Sequence, residues 1–447
     1  MTVQLDLPNI QGFVVRGYLM PFASYLFLHV RDAAAVRMWV REVLDEVQTA
    51  APWSVKPEAG VNVAFSYAGL RALGLPDASL SGFPEDFREG MAARAAPLGD
   101  TGGSAPERWE PGWLEPGVHA MVMISAQTRE ALAAHDARIR ETAVAGGWTV
   151  VLDQAGAALP DRREHFGYAD GFAQPSIEGA GIPALPGQGA PGKRGWRPVR
   201  AGEFVLGYPD EQGVLPAQPT PDQLAVNGSY LVYRKLHQDV AAFRRQLSAS
   251  AARFPGGEEL LAAKLVGRWR DGTPLAVSPD RPDPAVVADE QRNNDFSYAD
   301  DAGGRRCPVG SHVRRANPRE SMPFHGKLVN RHRIVRRGIP YGSPLPPGAD
   351  DDGADRGVAF MCLQASIARQ FEFIQSQWLG DGNAFRLGDD QDVLLGPQDH
   401  PGTHKMTVPG EPPFFHGPLD RLVTVRGGEY FFCPGVNGLR HLAALGD

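Results

Sequence analysis

The sequence is poor in cysteine and has no long apolar run. Its three cysteines, Cys307, Cys362 and Cys433, stand far apart without any CxxC pair, which excludes a zinc site of paired thiolates and a disulfide framework. No stretch approaches the roughly 18 apolar residues that a membrane-spanning helix needs. The first residues show no basic segment followed by an apolar run, so we predict no export signal and a cytoplasmic location.

Positive charge is also in short supply. The 45 Lys and Arg against 52 Asp and Glu give a net charge of -7, which argues against a protein that binds nucleic acid with its whole surface. With 43% hydrophobic and 22% charged residues, the composition is that of an ordinary globular protein. A chain of 447 residues exceeds what one hydrophobic core usually serves, so two domains or two similar halves are expected.

The chain carries a weak internal repeat, in which an apolar strand is followed by a helix that begins at an aspartate. The matching stretches are SYL at 24–26 with DAAAVR at 32–37, and SYL at 229–231 with DVAAFR at 239–244. This repeat predicts an α+β fold of two ferredoxin-like halves, residues 1–200 and 201–447, with antiparallel β-sheets flanked by helices. Near the end, RLVTVRGGEYFF at 421–432 predicts a hairpin that turns at two glycines.

The first segment that can carry chemistry is HFGYADGFAQP at 165–175. Asp170 stands close to Gly167 and Gly171, which permit a tight backbone that can approach a flat ligand. An aspartate in such a turn is also common as a structural residue that bonds to its own backbone. From these residues alone, both interpretations stay open.

The second segment, RRCPVGSHVRRANPR at 305–319, places His312 among five arginines. A neutral imidazole can bind a metal here, because it carries no charge for the arginines to repel. The alternative is a solvated basic face in which the histidine is incidental.

The third segment is NRHRIVRRGIPYG at 330–342, in which Arg336 could point inward. The alternative is a basic edge strand that its charges keep from aggregating. Taken together, the basic residues of 305–337 are typical of a patch that binds anions or nucleic acid. Few aromatic residues are interleaved for base stacking, and the chain as a whole is acidic, so this interpretation ranks second.

Together, the three segments resemble those of the dye-decolorizing peroxidases. The GxxDG signature of that family matches Gly167–Gly171, its CPxGxHxRxxNPR segment matches Cys307–Arg319, and its RRG(I/M)P(Y/F)G segment matches Arg336–Gly342. Further stretches in the same order, from NIQGFVVRGY near the start to FFCPGVNGLR near the end, extend the resemblance over nearly the whole chain. Several ungapped motifs in the right order are more specific than any one of them.

The resemblance implies a fold of two ferredoxin-like halves, similar to a dimeric α+β barrel, that holds haem b in its second half. It implies His312 as the ligand of the iron, Asp170 as the acid–base residue that acts on hydrogen peroxide, and Arg336 as the arginine beside it. Arg333 and Arg337 are close neighbours, and Arg336 is preferred because it opens the RGIPYG turn. The implied reductants are phenolic compounds, aromatic amines or anthraquinone-type dyes, oxidised in one-electron steps.

Three further expectations concern the surroundings of the haem. Its carboxylates need cationic partners in a partly dry site, and Arg319 is the candidate. Phe360 is expected to wall the pocket or, alternatively, to be plain core. The second ring nitrogen of His312 needs an acceptor that fixes the ring. The sequence leaves four acceptors open: Asp381, Asp389, Asp390 and Asp392.

Two rival functions stand beside the peroxidase. One is a haem-binding protein of the same fold that traffics iron, and the other is an anion- or nucleic-acid-binding protein that uses the basic segment 305–337. A distal aspartate and arginine favour the peroxidase, since mere storage of haem does not need them. The expected partners are hydrogen peroxide and aromatic small-molecule reductants, with no nucleic acid and no membrane, and the oligomeric state stays open.

Overall fold

The computed structural model describes residues 3–192, 195–322, 326–397 and 404–446. Its strands are β1 Phe22–Val30, β2 Ala59–Phe65, β3 Ala120–Ala126, β4 Trp148–Ala157, β5 Ala190–Gly192, β6 Gly195–Arg197, β7 Ser229–Gln238, β8 Val335–Arg336, β9 Ile339–Tyr341, β10 Gly357–Gln364, β11 Met406–Val408, β12 Phe414–His416 and β13 Val423–Cys433. Its α-helices are α1 Gly12–Val15, α2 Ala33–Val43, α3 Tyr67–Ala72, α4 Asp77–Leu80, α5 Glu85–Glu89, α6 Ala95–Leu98, α7 Arg129–Ala145, α8 Asp222–Ala225, α9 Val240–Ala251, α10 Gly257–Val266, α11 Pro284–Ala288, α12 His312–Ala316 and α13 Val436–Ala443. Two π-helical segments, Ala368–Glu372 and Ile374–Leu379, follow β10.

Within these residues, nine strands form one sheet in the order β4-β1-β3-β2-β13-β7-β10-β8, with β9 paired to β10. The first four strands, β1 to β4, lie side by side in the order 4-1-3-2. Strands β7, β8, β10 and β13 form a second group of four, and they have the same order when they are numbered 1 to 4 along the chain. This is the antiparallel order of a ferredoxin-like βαββαβ unit. The two groups meet where Phe65 pairs with Phe432. The predicted α+β fold of two ferredoxin-like halves is therefore confirmed.

The two ends of the sheet also approach one another. Gly156 of β4 lies so close to Ile339 of β9 that a Cβ atom at Gly156 would be 2.3 Å from Ile339 Cγ2. Between the halves, the rings of Phe27 and Tyr233 pack with their centroids 4.8 Å apart. The strands thus curl around a shared apolar core, as in a barrel.

The internal repeat corresponds to equivalent elements of the two halves. The two SYL stretches lie in β1 and β7, the first strand of each half. Asp32 caps α2 by accepting the amides of Ala34 and Ala35, and Asp239 caps α9 by accepting the amide of Ala242. A side-chain acceptor at this position satisfies amides that have no partner in the first turn of a helix. The repeated aspartates therefore mark the same strand-to-helix junction twice.

The hairpin predicted at 421–432 is wrong. These residues run into the single strand β13, which pairs with β7 throughout and has a bulge between Val425 and Gly427. Gly427 serves close packing, because a Cβ atom there would lie 1.9 Å from the indole Nε1 of Trp113. Among the described residues, no helix is both long and apolar enough to cross a membrane.

Candidate active site

A large cavity of about 300 Å³ lies against the sheet of the second half. Leu236 from β7, Val358 and Phe360 from β10, and Val425 from β13 form one wall. These side chains share a face of the sheet, because Val358 and Val425 both stand opposite Leu236. The loop after β4, helix α12 and the π-helical segments supply the rest of the lining. A concave, largely apolar site with a few polar groups is the usual form of a cofactor or ligand pocket.

His312 is the first residue of α12 and lines this cavity. Its Nδ1–H donates to Oδ2 of Asp392 over 2.9 Å. Asp392 is fully buried and also accepts the backbone amides of Leu394 and Leu395, at 3.0 and 2.8 Å. Because Nδ1 is engaged, Nε2 carries the lone pair that can bind a metal. Of the four acidic candidates, Asp392 is the one that the structure brings to His312.

Asp392 and His312 act on one another electrostatically, against the effect of burial. Burial alone would favour the neutral form of both groups. Their mutual attraction outweighs burial, so the pKa of His312 is raised and the pKa of Asp392 is lowered from their ordinary values. The bond between them is therefore charge-assisted, which fixes the plane of the imidazole ring.

Asp170 lies in the long loop after β4 and borders the cavity. Its backbone amide donates to the carbonyl of Arg162 at 3.0 Å, which ties the loop back on itself. Gly167 and Gly171 adopt φ angles of 97° and 94°, in the left-handed region that favours glycine. The GxxDG spacing thus allows the tight turn that presents the carboxylate of Asp170 to the cavity.

Arg336 ends β8, and its Nη1 donates to both carboxylate oxygens of Asp170, at 3.0 and 3.2 Å. The two side chains are 33% and 60% exposed, because they face the open cavity. The protein around Asp170 disfavours its charge, yet the charge of Arg336 and, after it, the amide of Gly171 hold the pKa of Asp170 below its ordinary value. Asp170 is therefore an ionised base beside a fixed positive charge.

The arginines on either side of Arg336 have different surroundings. Arg337 donates to the carbonyls of Phe13 and Arg336 and is not among the residues that line the cavity. Arg333 does line the cavity, where burial lowers its pKa to about 9. Asp170 therefore pairs with Arg336 and with neither of these neighbours.

Arg319 is not among the cavity-lining residues. Its guanidinium donates to the carbonyls of Asn294 and Phe296, at 3.2 and 2.7 Å, and to Oδ1 of Asn294 at 2.7 Å. It also stacks on the ring of Phe296 at 3.8 Å. These contacts hold the side chain of Arg319 against a neighbouring loop. The buried arginines that line the cavity, where Arg319 was expected, are Arg268 and Arg333.

Phe360 projects from β10 into the cavity wall, with its ring centroid 6.2 Å from that of Phe371. It shares a sheet face with Arg336, because Cys362 stands opposite Arg336 and two residues beyond Phe360. Phe360 also packs against the main hydrophobic core. Phe360 therefore lines the pocket and also packs against the core, as the two sequence interpretations proposed.

The sequence interpretation missed the contact of Gln174 with Arg336 and the place of Arg268 at the cavity, and it weighed Arg333 only as an alternative to Arg336. Oε1 of Gln174 accepts the backbone amide of Arg336 at 3.0 Å. Arg268 is buried at the cavity, where desolvation lowers its pKa to about 10. Gln174 lies in the FAQP extension of the Asp170 segment, but the motif alone does not show that its side chain contacts Arg336. A buried arginine has no such signal, because arginine is normally an exposed residue.

Two family models match the chain. The DyP dimeric alpha+beta barrel domain matches residues 9–160, and the C-terminal domain of Dyp-type peroxidases matches residues 210–389. A deferrochelatase of Yersinia pestis is 28% identical to the chain, but over only 35% of the chain and 29% of that protein. The family models thus match residues in both halves of the fold, whereas the deferrochelatase matches about a third of the chain.

Relatives and solved structures match along nearly the full length. The dye-decolorizing peroxidase msp1 of Mycetinis scorodonius is 30% identical over 99% of this chain and 88% of that protein. The dye-decolorizing peroxidase of Mycena epipterygia is 32% identical over 98% and 87%. The structure of an ancestral D-type dye-decolorizing peroxidase superposes with a TM-score of 0.86 and 31% identity, over 99% of this chain and all of that one. The chain therefore belongs to the dye-decolorizing peroxidase family, whose members are haem-dependent peroxidases.

Proposed function

We propose that this protein binds haem b, reduces hydrogen peroxide, and oxidises phenolic compounds, aromatic amines or anthraquinone-type dyes in one-electron steps. The observation that carries the proposal is the convergence of three separate segments on one cavity. His312, Asp170 and Arg336 all line it, and the first two of them each have a charged partner, Asp392 and Arg336. A related dye-decolorizing peroxidase has been solved with 2,6-dimethoxyphenol, which supports the phenolic class of reductant.

The residues of the cavity fit haem b. Nε2 of His312 would hold the iron, and its Asp392 partner would strengthen it as a donor. Arg333 is a buried cation at the cavity wall, and within the described residues it forms no ion pair with a carboxylate. A haem carboxylate would supply the negative charge that its guanidinium group lacks. We therefore assign the iron to His312 and a haem carboxylate to Arg333.

When bound, haem supplies the iron at which the O–O bond of hydrogen peroxide is broken. Asp170 takes the proton from one peroxide oxygen and returns it to the other, which leaves as water. Its Oδ1 already accepts from the Gly171 amide at 2.6 Å and from Arg336 at 3.0 Å. Among the described residues, Oδ2 accepts from Arg336 only, at 3.2 Å. Oδ2 is therefore the atom with room to hold the transferred proton.

Arg336 has two tasks in this scheme. Its positive charge keeps Asp170 ionised, so that the carboxylate is ready to accept a proton. The same charge stabilises the negative charge that develops on the leaving oxygen. Because Arg336 is already in place beside Asp170, it need not be reorganised during the reaction.

The absorption spectrum of the protein with added haem, before and after one equivalent of hydrogen peroxide, tests the proposal. We expect a Soret band that changes rapidly with peroxide, and a weakened or shifted band in His312→Ala. His135→Ala, on the outer helix α7, is the control and should keep the band unchanged. An unaltered Soret band in His312→Ala would overturn the ligand assignment. Haem binding with no response to peroxide would favour iron trafficking instead.

Two broader expectations stay predictions. We propose residues 1–200 as the half that carries the Asp170 loop, and residues 201–447 as the half that carries His312 and Arg336. The cytoplasmic location also stays a prediction.

A further inference from the structure

The loop that carries Asp170 contacts Arg336 at two points. The Asp170 carboxylate accepts from the side chain of Arg336, and Oε1 of Gln174 accepts from its backbone amide at 3.0 Å. Residues four apart in one loop therefore hold both ends of the same arginine. We propose that Gln174 is a positioning residue of the peroxide reaction, which fixes Arg336 at its working distance from Asp170.

The backbone of Arg336 has few other restraints. Strand β8 is two residues long and lies at the end of the sheet order. The next amide, of Arg337, donates to the carbonyl of Met361 in β10 at 2.8 Å, so the amide of Arg336 points away from that strand. At an edge strand, such an outward amide has no ladder partner. Gln174 supplies the acceptor that a further strand would otherwise provide.

Gln174 is itself held on a fixed piece of backbone. The next residue, Pro175, is buried and has a restricted φ angle. The amide of Ser176 then donates to the carbonyl of Gln188 at 3.0 Å. On the other side, the amide of Asp170 is tied to the carbonyl of Arg162 at 3.0 Å. Because the loop is anchored on both sides of Gln174, the hydrogen bond to Gln174 holds the backbone of Arg336 in a fixed position.

The chemistry of the amide side chain suits this task. A glutamine oxygen accepts a hydrogen bond without carrying charge. A glutamate at this position would accept the same backbone amide, but would add a negative charge to the site. A neutral acceptor leaves the positive charge of Arg336 to Asp170 and the substrate.

This inference rests on the proposed roles of Asp170 and Arg336, so the test includes Arg336→Leu. The other variants of the haem-loaded protein are Gln174→Met, which removes the acceptor at similar size, and Gln174→Glu, which keeps it. The control is Gln127→Met, because Gln127 also ties a loop through backbone carbonyls, of Lys56 and Pro57, far from the cavity. The measurements are stopped-flow rates of the reaction with hydrogen peroxide across pH, melting temperatures, and crystal structures.

In Gln174→Met we expect a rate about tenfold lower, because a misplaced catalytic group costs up to about 100-fold for each ångström. Arg336 should move away from Asp170 in the crystal structure. The acidic limb of the pH profile should shift to higher pH, since Asp170 then loses part of the charge that keeps it ionised. In Gln174→Glu the separation of Arg336 and Asp170 should be preserved. Gln127→Met should leave the pH profile unmoved.

The outcomes separate the inference from the function on which it rests. If Arg336→Leu is slow while Gln174→Met keeps both the wild-type separation and the wild-type acidic limb, Gln174 is not a positioning residue. If Arg336→Leu reacts as fast as wild type, the proposed role of Arg336 itself falls. A loss of melting temperature in Gln174→Met with an unmoved pH profile would reduce Gln174 to a structural residue and overturn the inference.

Discussion

The pair His312–Asp392 and the pair Arg336–Asp170 each join a carboxylate to a cationic partner at the same cavity, but they differ in exposure. Asp392 is 0% exposed and His312 25%, whereas Asp170 is 60% exposed and Arg336 33%. In the first pair the carboxylate is hidden behind its partner. In the second pair it faces the space where a substrate would bind.

The difference in exposure separates two chemical tasks. Asp392 is held by the amides of Leu394 and Leu395 as well as by His312, so neither of its oxygens is free to take up a proton from the cavity. Such a carboxylate orients the imidazole and strengthens it as a donor. Asp170 keeps one carboxylate oxygen less occupied and can take up and release a proton there. Under the proposed function, one pair holds a group in place and the other moves a proton.

The strongest test of this comparison is Asp170→Asn. The amide still accepts from Arg336 but cannot take a proton, so we expect the reaction with hydrogen peroxide to slow by about 1,000-fold, within the range of general acid–base catalysis. Haem binding, read from the Soret band, should stay near wild type. Asp153→Asn, which alters a surface ion pair with Arg140, is the control. A rate within tenfold of wild type would exclude Asp170 as the base.

Arg336→Leu should have the next largest effect. Loss of a preorganised positive charge is expected to slow the peroxide reaction by about 100-fold. Arg336 holds the pKa of Asp170 below its ordinary value of 3.8, and the base works only when ionised. Its removal should therefore shift the acidic limb of the pH profile to higher pH. Stopped-flow rates across pH measure both effects, and an acidic limb that does not move would contradict the pairing.

The two pairs also show what the sequence could and could not predict. Local signals were sufficient for the fold, because Asp32 and Asp239 each cap a helix directly after an apolar strand. The motifs around Asp170 and His312 were also local. Their partners were not: Asp392 lies 80 residues from His312, and Arg336 lies 166 residues from Asp170. Resemblance to a family predicted Arg336, whereas only the packed structure selects Asp392.

Arg319 and Gly427 show how contacts with distant segments bear on two further expectations. Arg319 stands in the same basic motif as His312, but its donors are taken by the carbonyls of Asn294 and Phe296. Gly427 looks like a turn residue, yet it makes room for the indole of Trp113 within a continuous strand. In both cases a contact with a distant segment decides the outcome, and local pattern does not contain it.

Asp392→Asn should have an intermediate effect. The variant keeps an acceptor for His312 but loses the negative charge, and loss of such a partner typically weakens metal binding by about 10- to 100-fold. The measurement is the rate at which haem leaves the protein for a competing haem acceptor. Asp389→Asn is the matched control, since this acidic neighbour is exposed. Equal effects of the two substitutions would remove the special role of the buried pair.

The smallest effect should come from Arg333→Met. If Arg333 pairs with a haem carboxylate, its loss should weaken haem binding by about tenfold, the size of one hydrogen bond to a charged group. Arg319→Met is the matched comparison, because Arg319 contacts the loop at Asn294 and Phe296. It should lower the melting temperature while the haem affinity of the folded protein stays near wild type. The reverse result would be a haem affinity that depends on Arg319 and not on Arg333. It would support the sequence-based expectation that Arg319 pairs with a haem carboxylate, and it would mean that this loop rearranges when haem binds.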